Sequence, residues 1–272
     1  MKETFFAEKN AMLSGILSLR YPWLNKSKIQ RLITGKNVKL DGARVSADAK
    51  VAKNAELEVF LPATFEAEKI EVVYLDENVV IADKPAHTDS VTALPKMLEK
   101  EYGTLYPVHR LDTNTTGIVV LARGHKTRVE LELAFKRREV HKKYIATVVG
   151  TPKKSKGVMS GWLIKDSSSG IVRVSNVRQA GGLEAVTEYE VISSEDGLSE
   201  VELLPLTGRT HQLRAQLAHL GCPILGDGKY GDFNENKRRG VNVQQLRAVS
   251  IKFNNVGGIV NYLKGREFEV KR

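Results

Sequence analysis

The segment from residue 109 to residue 122 constrains the fold of this chain more than any other. It begins with the polar stretch His-Arg-Leu-Asp-Thr-Asn-Thr-Thr-Gly and continues into the uninterrupted apolar run Ile-Val-Val-Leu-Ala. Such a run directly after turn-forming residues predicts a buried strand over residues 118–122. The turn would then present Asp112, beside Arg110, at the rigid end of that strand. Asp112 is therefore the first candidate for a catalytic residue, and an aspartate that only holds a turn is the structural alternative.

The rest of the chain predicts strands in hairpin-like succession with few helices between them. This order favours an α+β fold on a mixed, largely antiparallel sheet over a doubly wound α/β fold. Residues 61–68 are typical of a linker, because Pro62 ends a strand and no periodicity follows. We therefore predict two domains, at residues 1–62 and 70–272. The predicted strands are residues 71–74, 79–82, 140–149, 171–177, 185–192 and 199–204, and the predicted helices of the second domain include residues 91–101 and 125–138.

The first 62 residues are the more basic part of the chain. They hold eleven lysines and arginines against six acidic residues, which is half of the net charge of +10. Such an excess favours a polyanionic partner. A short basic helix is predicted at residues 27–35, with Ser27 as N-cap and Gly35 beyond its end. It is followed by a strand at residues 38–40, a hairpin turn at Asp41 and Gly42, and a strand at residues 57–60.

Several classes of protein fit this sequence poorly. Its one cysteine, Cys222, fits a reducing compartment and is expected to pack rather than react. No secretory signal is predicted, and no stretch reaches the roughly 18 apolar residues of a membrane helix. We expect a cytoplasmic monomer without a membrane partner. Six scattered histidines give no zinc spacing, and residues 226–231 lack a P-loop ending and predict a surface turn.

A second polar segment, residues 207–221, joins a predicted strand to an amphipathic helix. Leu213, Leu217 and Leu220 recur at helical spacing, and Arg214 flanks this apolar stripe. Taken alone, the pattern is that of a surface helix with solvated arginines. Because Arg214 flanks the stripe, its guanidinium can emerge at the start of the helix.

Together, the two polar segments resemble the motifs of RluA-type pseudouridine synthases. The first is similar to the family motif His-Arg-Leu-Asp with a Thr/Ser-Gly turn, although Asn114 and Thr116 replace the usual acid and serine. The second is similar to the later motif, through Gly-Arg-Thr-His-Gln-Leu-Arg at residues 208–214 and Gly-Cys-Pro-Ile-Leu-Gly-Asp at residues 221–227. This resemblance covers about residues 70–255. Residues 10–62 resemble an S4-type RNA-binding domain.

The resemblance implies roles for individual residues. Asp112 would be the catalytic aspartate, and Arg214 would pair with it. Tyr144 would stack on the flipped base and carries a hydroxyl for proton removal, while its structural alternative is a tyrosine packed in a sheet. Arg110 would fill the space that the flipped base leaves. The implied RNA-binding residues are Arg110, Arg209 and His211 near the site, and Lys28, Arg31, Lys36 and Lys39 on the S4-like domain, where the alternative is a solvated basic helix.

The implied reaction isomerises uridine to pseudouridine in RNA, with no cofactor or metal. Cleavage of the C1′–N1 bond builds positive charge at C1′, which a carboxylate stabilises. Whether the aspartate attacks the sugar, adds to the base or removes a sugar proton stays open. The expected substrate is structured RNA, with ribosomal RNA favoured over transfer RNA. The alternatives are a non-catalytic RNA-binding or ribosome-assembly protein, and an RNA hydrolase, for which no second positioned acid or base is evident.

Overall fold

The computed structural model of this chain describes residues 1–66, 69–166, 168 and 170–271. Residues 67 and 68 of the predicted linker lie outside the described residues. The helices are α1 (Leu13–Arg20), α2 (Lys26–Thr34), α3 (Ala93–Tyr102), α4 (His125–Lys136), α5 (Gln212–His219) and α6 (Phe233–Arg239), with 3-10 turns at Ala63–Phe65 and Gly258–Leu263. The strands are β1 (Lys2–Phe6), β2 (Ala11–Met12), β3 (Val38–Leu40), β4 (Ala43–Val45), β5 (Lys50–Val51), β6 (Glu56–Phe60), β7 (Glu71–Leu75), β8 (Val79–Lys84), β9 (Tyr106–Pro107), β10 (Thr116–Ala122), β11 (Val140–Val149), β12 (Lys156–Lys165), β13 (Val172–Ser175), β14 (Leu183–Glu195), β15 (Leu198–Pro205), β16 (Leu246–Phe253) and β17 (Glu267–Glu269).

The first 65 residues build sheets and a hydrophobic core of their own. Strands β1, β6, β3 and β4 form a four-stranded antiparallel sheet, and β2 pairs with β5. Apolar residues of α1 and α2, such as Leu17 and Leu32, pack with Val38, Leu57 and Val59 of this sheet. The burial of these side chains leaves Lys39 and Glu58, which are partners across β3 and β6, on the other face of the sheet.

The basic helix α2 starts before the residue that the sequence predicts. Its N-cap is Asn25, whose side-chain oxygen accepts a hydrogen bond from the backbone N–H of Lys28 at 2.9 Å. The prediction of Ser27 as N-cap is therefore wrong, because Ser27 already lies in the first helical turn. The hairpin turn is confirmed: Asp41 and Gly42, with φ of 47° and 81°, join β3 to β4 in the left-handed conformation that a two-residue connection needs.

The remaining described residues surround an 11-stranded sheet. Its strand order is β13-β12-β14-β15-β11-β16-β10-β8-β7, with β17 on β16 and β9 on β10. Among the described pairs of strands only β10 and β16 run parallel, so the mixed, largely antiparallel sheet is confirmed. The predicted hairpin, the two predicted helices and the four further strands are present. Strands β9, β12, β16 and β17 are additional.

Gly117 sets how closely β10 can approach β16. Its φ is +107°, and a Cβ atom there would lie 2.0 Å from the carbonyl oxygen of Ala248. Both the positive φ and the lack of space for a Cβ atom therefore require glycine at this position. Gly117 is in register with Ala248 of β16, which is in turn in register with Tyr144 of β11. This register places the end of β10, and the turn that precedes it, two strands or about 10 Å from Tyr144.

Candidate active site

A pocket opens where the turn before β10 faces β11 and the segment leading into α5. Asp112, Tyr144, Arg214 and His211 all line it, so the predicted catalytic residues meet at one place although they are far apart in the sequence. Arg110, Arg209 and Lys142 also line the pocket. Its wall therefore combines one carboxylate with several cations and an aromatic ring, which is a suitable composition for a nucleotide.

Arg214 binds two carboxylates at once. Its Nη1 donates to Oδ2 of Asp112 at 2.9 Å, while Nε and Nη2 donate to Oδ2 and Oδ1 of Asp227 at 2.7 and 2.9 Å. Asp227 is fully buried, whereas the Asp112 side chain keeps 18% of its surface exposed. The bidentate pair with Asp227 fixes the guanidinium, and its remaining donor fixes Asp112 at the pocket. The prediction of a mere surface turn at residues 226–231 is corrected here, because Asp227 in that turn is buried.

The opposite charges of Arg214 and the two carboxylates, Asp112 and Asp227, stabilise one another. Burial alone would lower the pKa of Arg214, but Asp227 and Asp112 raise it above its ordinary value. Burial would likewise raise the pKa of Asp227, but hydrogen bonds from Arg214 and from the backbone amides of Lys229 and Tyr230 lower it. Both groups are therefore charged at neutral pH. The guanidinium balances Asp227 in the interior and still offers a positive charge to Asp112.

The turn that carries Asp112 is held by buried polar side chains from other segments. The Ser90 hydroxyl donates to the carbonyl of Leu111 at 3.0 Å and accepts from its N–H at 3.1 Å. The fully buried Lys84 ammonium donates to three carbonyls, including that of Thr113 at 3.1 Å. Burial lowers the pKa of Lys84 to about 8, an effect that Asp89, Asp112 and Asp83 partly offset. These contacts lock the backbone on both sides of Asp112 before substrate binds.

Tyr144 and His211 both line the pocket near the carboxylate of Asp112. Tyr144 is buried, and its pKa is raised by burial and by the negative charge of Asp112, so its hydroxyl is protonated at neutral pH. His211 has a left-handed backbone with φ of 55°, and its Nε2 lies 3.9 Å from Oδ2 of Asp112. Its Nδ1 lies 2.9 Å from the Tyr230 hydroxyl, and burial lowers its pKa. His211 therefore lies next to the carboxylate of Asp112, whereas the sequence motifs predict only an RNA contact for it.

The other predicted RNA contacts are spread over several surfaces. Arg110 is exposed at the mouth of the pocket, and Nε of Arg209 donates to the carbonyl of Glu184 at 3.1 Å. On the first domain, Lys28 and Arg31 of α2 both lie 5.6 Å from the ring centroid of Phe65. Lys36 is exposed after α2, whereas Lys39 lies on the outer face of the sheet and pairs with Glu58 at 3.3 Å.

Comparison with known proteins identifies the class of this chain. Residues 62–219 match the model of the family described as RNA pseudouridylate synthase. Ribosomal large subunit pseudouridine synthase C from Rickettsia bellii is 31% identical over 241 residues, which cover 78% of this chain and 80% of that protein. The dual-specificity RNA pseudouridine synthase RluA of Yersinia pestis is 36% identical over 168 residues, 58% of this chain and 81% of that one. The solved structure of human RNA Pseudouridylate Synthase Domain Containing 4 has a TM-score of 0.61 at 28% identity and covers 74% of this chain and 87% of that one.

The chain belongs to the RNA pseudouridylate synthase family, and more closely to its RluA type. It is an RNA pseudouridine synthase with the fold of that family. Within the described ranges, no helix is long and apolar enough to cross a membrane. Nor do three or more histidine, cysteine or acidic side chains come together as a metal site in that part of the chain.

Proposed function

We propose that this enzyme isomerises uridine in structured RNA, most directly large-subunit ribosomal RNA, with Asp112 as its catalytic carboxylate. The observation that carries this proposal is the contact of 2.9 Å between Arg214 and Asp112, in a pocket where Asp227 holds the same guanidinium. An RNA-binding protein has no need for a carboxylate fixed in direction beside a tyrosine. Such a carboxylate is suited to stabilise or trap the positive charge that develops at C1′.

The surrounding residues complete the proposed mechanism. A base inside a helix cannot reach Asp112, so the target uridine must leave the stack. The exposed Arg110 is placed at the pocket mouth to fill the vacancy. Tyr144 offers its ring to the uracil. Since its hydroxyl is protonated at neutral pH, we assign it to stacking first and to proton transfer only through a neighbouring acceptor.

The first domain supplies a second RNA contact in this proposal. The resemblance of residues 1–62 to an S4-type domain and their share of the net positive charge, which is half, support this assignment. Lys28 and Arg31 lie together beside Phe65, which gives α2 a basic and aromatic surface suited to the RNA backbone and an unstacked base. The name of the Rickettsia relatives favours ribosomal RNA as the substrate.

A map of pseudouridines in total RNA tests this proposal. Cells with the gene, without it, and with the gene carrying Asp112→Asn are compared. One or more sites in large-subunit ribosomal RNA should disappear without the gene and stay absent with Asp112→Asn. Loss of sites in transfer RNA alone would contradict the ribosomal substrate. Sites that return with Asp112→Asn would contradict the catalytic role.

A further inference from the structure

Lys142 lies in the active-site pocket and, among the described residues, pairs with no carboxylate. It lies on β11 two residues before Tyr144, and both side chains line the same pocket. Its Nζ lies 6.0 Å from the ring centroid of Phe135, and a Cβ atom added at Gly208 would lie 4.0 Å from it. In the part of the chain that the structure describes, no carboxylate pairs with Lys142, whereas the adjacent Lys143 pairs with Glu202 at 3.5 Å.

The surroundings of Lys142 make its charge unfavourable in the free protein. Burial lowers the pKa of its ammonium to about 8, and no acidic side chain offsets that effect. Its titratable neighbour His109, whose pKa burial lowers to about 3, is neutral and contributes no negative charge. His109 accepts a hydrogen bond from the backbone N–H of Val120 at 2.9 Å and stacks on Phe135. A partly desolvated ammonium is costly until an anion joins it.

We propose that Lys142 binds a phosphate of the target nucleotide and so holds the flipped uridine in the pocket. The inference rests on the proposed function, because phosphates are the anions that an RNA substrate brings. Lys142 and Tyr144 are about 7 Å apart along the strand. One nucleotide can therefore place its base on the tyrosine ring and its backbone at the ammonium. Gly208 has no side chain beside Nζ, which leaves room for the phosphate.

Neighbouring lysines on β11 give a matched pair of variants. Lys142→Met removes the charge and keeps most of the aliphatic stem, and Lys143→Met removes the same charge from the other face of the strand. Filter retention measures affinity for an in vitro transcript of large-subunit ribosomal RNA over a series of salt concentrations. Lys142→Met should weaken binding about tenfold, and should reduce the slope of log affinity against log salt by about one. Lys143→Met should change neither, and Lys142→Arg should restore most of the affinity.

Two further readouts separate binding from chemistry and from folding. At transcript concentrations below saturation, turnover by Lys142→Met should fall in proportion to its affinity, since the variant loses a binding contact rather than a reacting group. Its melting temperature without RNA should not fall, because a methionine replaces a cation that pairs with no carboxylate among the described residues. A residue needed only for the fold would give the opposite thermal result.

Equal affinities and salt slopes for Lys142→Met and Lys143→Met would overturn the proposal. A lower maximal rate with unchanged affinity would also overturn it, because Lys142 would then act in the chemistry. Wild-type turnover of the same transcript tests the proposed function separately. If the wild-type protein binds the transcript without isomerising it, the ribosomal substrate is wrong, while the comparison of the two lysine variants still decides the phosphate contact.

Discussion

At the scale of single residues, the site depends on one guanidinium shared by two carboxylates. Asp227 is buried and holds Arg214 through two hydrogen bonds, and Arg214 holds Asp112 through a third. Arginine suits this place because its planar fork offers several donors in fixed directions, whereas the ammonium of a lysine is a single point charge. Asp227 is therefore a positioning residue, which acts on Asp112 through Arg214.

Two substitutions of Arg214 should distinguish the effect of its positive charge from the effect of its hydrogen-bonding geometry. Arg214→Lys keeps one positive charge near Asp227 but cannot bridge both carboxylates, so turnover should fall about a hundredfold or more as Asp112 loses its fixed direction. Arg214→Met should in addition lower stability by about 3–5 kcal/mol, because it leaves Asp227 buried and unpaired. Tritium release from RNA labelled at C5 of uridine measures turnover, and thermal unfolding measures stability.

The control for both variants is Arg209, which lines the same pocket without contacting either carboxylate in the described structure. Arg209→Lys should leave the maximal rate near that of wild type, and Arg209→Met should mainly raise the RNA concentration for half-maximal rate. If the Arg214 and Arg209 variants share one modest binding defect, the role given to the Asp112–Arg214 pair is wrong.

At the scale of elements, the parallel contact between β10 and β16 places the turn that carries Asp112. The contact joins Thr116 and Gly117 to Arg247 and Ala248, which are more than a hundred residues away in the sequence. The antiparallel pairing of β16 with β11 then brings Tyr144 into the same register. Three strands from distant segments thus set the distance between Asp112 and Tyr144.

Gly117→Ala should break this arrangement. The new Cβ would collide with the Ala248 backbone at a φ that alanine avoids, so the free energy of unfolding should drop by about 2–4 kcal/mol. Gly15→Ala is the control: nothing lies within 4 Å of its Cβ position inside α1, so stability should rise by about 0.5–1 kcal/mol. Urea unfolding measures both. Equal stabilities for the two variants would show that the close approach at Gly117 does not constrain the sheet.

The elements differ in how well the sequence predicts them. Strands β7, β8 and β11 carry dense β-branched runs between turn residues, and they are predicted almost to the residue. Strand β12 was missed because its glycines and polar residues weaken the pattern, and β16 because a short mixed run late in the chain gives little periodic signal.

The residues of the site also differ in how well the sequence predicts them. The two sequence motifs that contain Asp112 and Arg214 predict both residues as members of the site. Their supports come from elsewhere: Ser90 lies 21 residues before Leu111, and Lys84 lies 29 residues before Thr113. Nothing in the local sequence around Ser90 distinguishes it from an ordinary polar residue, because its contact with Leu111 arises only when the segments are packed together.

At the scale of the whole molecule, the two larger hydrophobic cores among the described residues support two different surfaces. The core of the first domain supports a basic surface at α2, while the larger core supports the pocket around Asp112. In the proposed function, such a division would let residues 1–62 attract RNA through their charge without taking part in the chemistry.

Neutralising the α2 surface should therefore weaken RNA binding alone. Lys28→Gln combined with Arg31→Gln should reduce the slope of log affinity against log salt by about 1.5 to 2, with the maximal rate at saturating RNA preserved. Lys50→Gln combined with Lys53→Gln removes the same charge in and just after β5, outside α2, and should change the slope little. Filter retention over a salt series measures both pairs. An unchanged slope for the α2 pair would show that this surface does not contact RNA.

The central claim is that Asp112 carries the chemistry, and one comparison tests it most directly. Asp112→Asn removes the charge and changes almost no volume, so the fold and the RNA contacts should remain. Tritium release from a large-subunit ribosomal RNA transcript labelled at C5 of uridine should fall to background for this variant, while its affinity by filter retention stays within about threefold of wild type. Release near the wild-type rate would contradict the assignment of Asp112 as the catalytic residue.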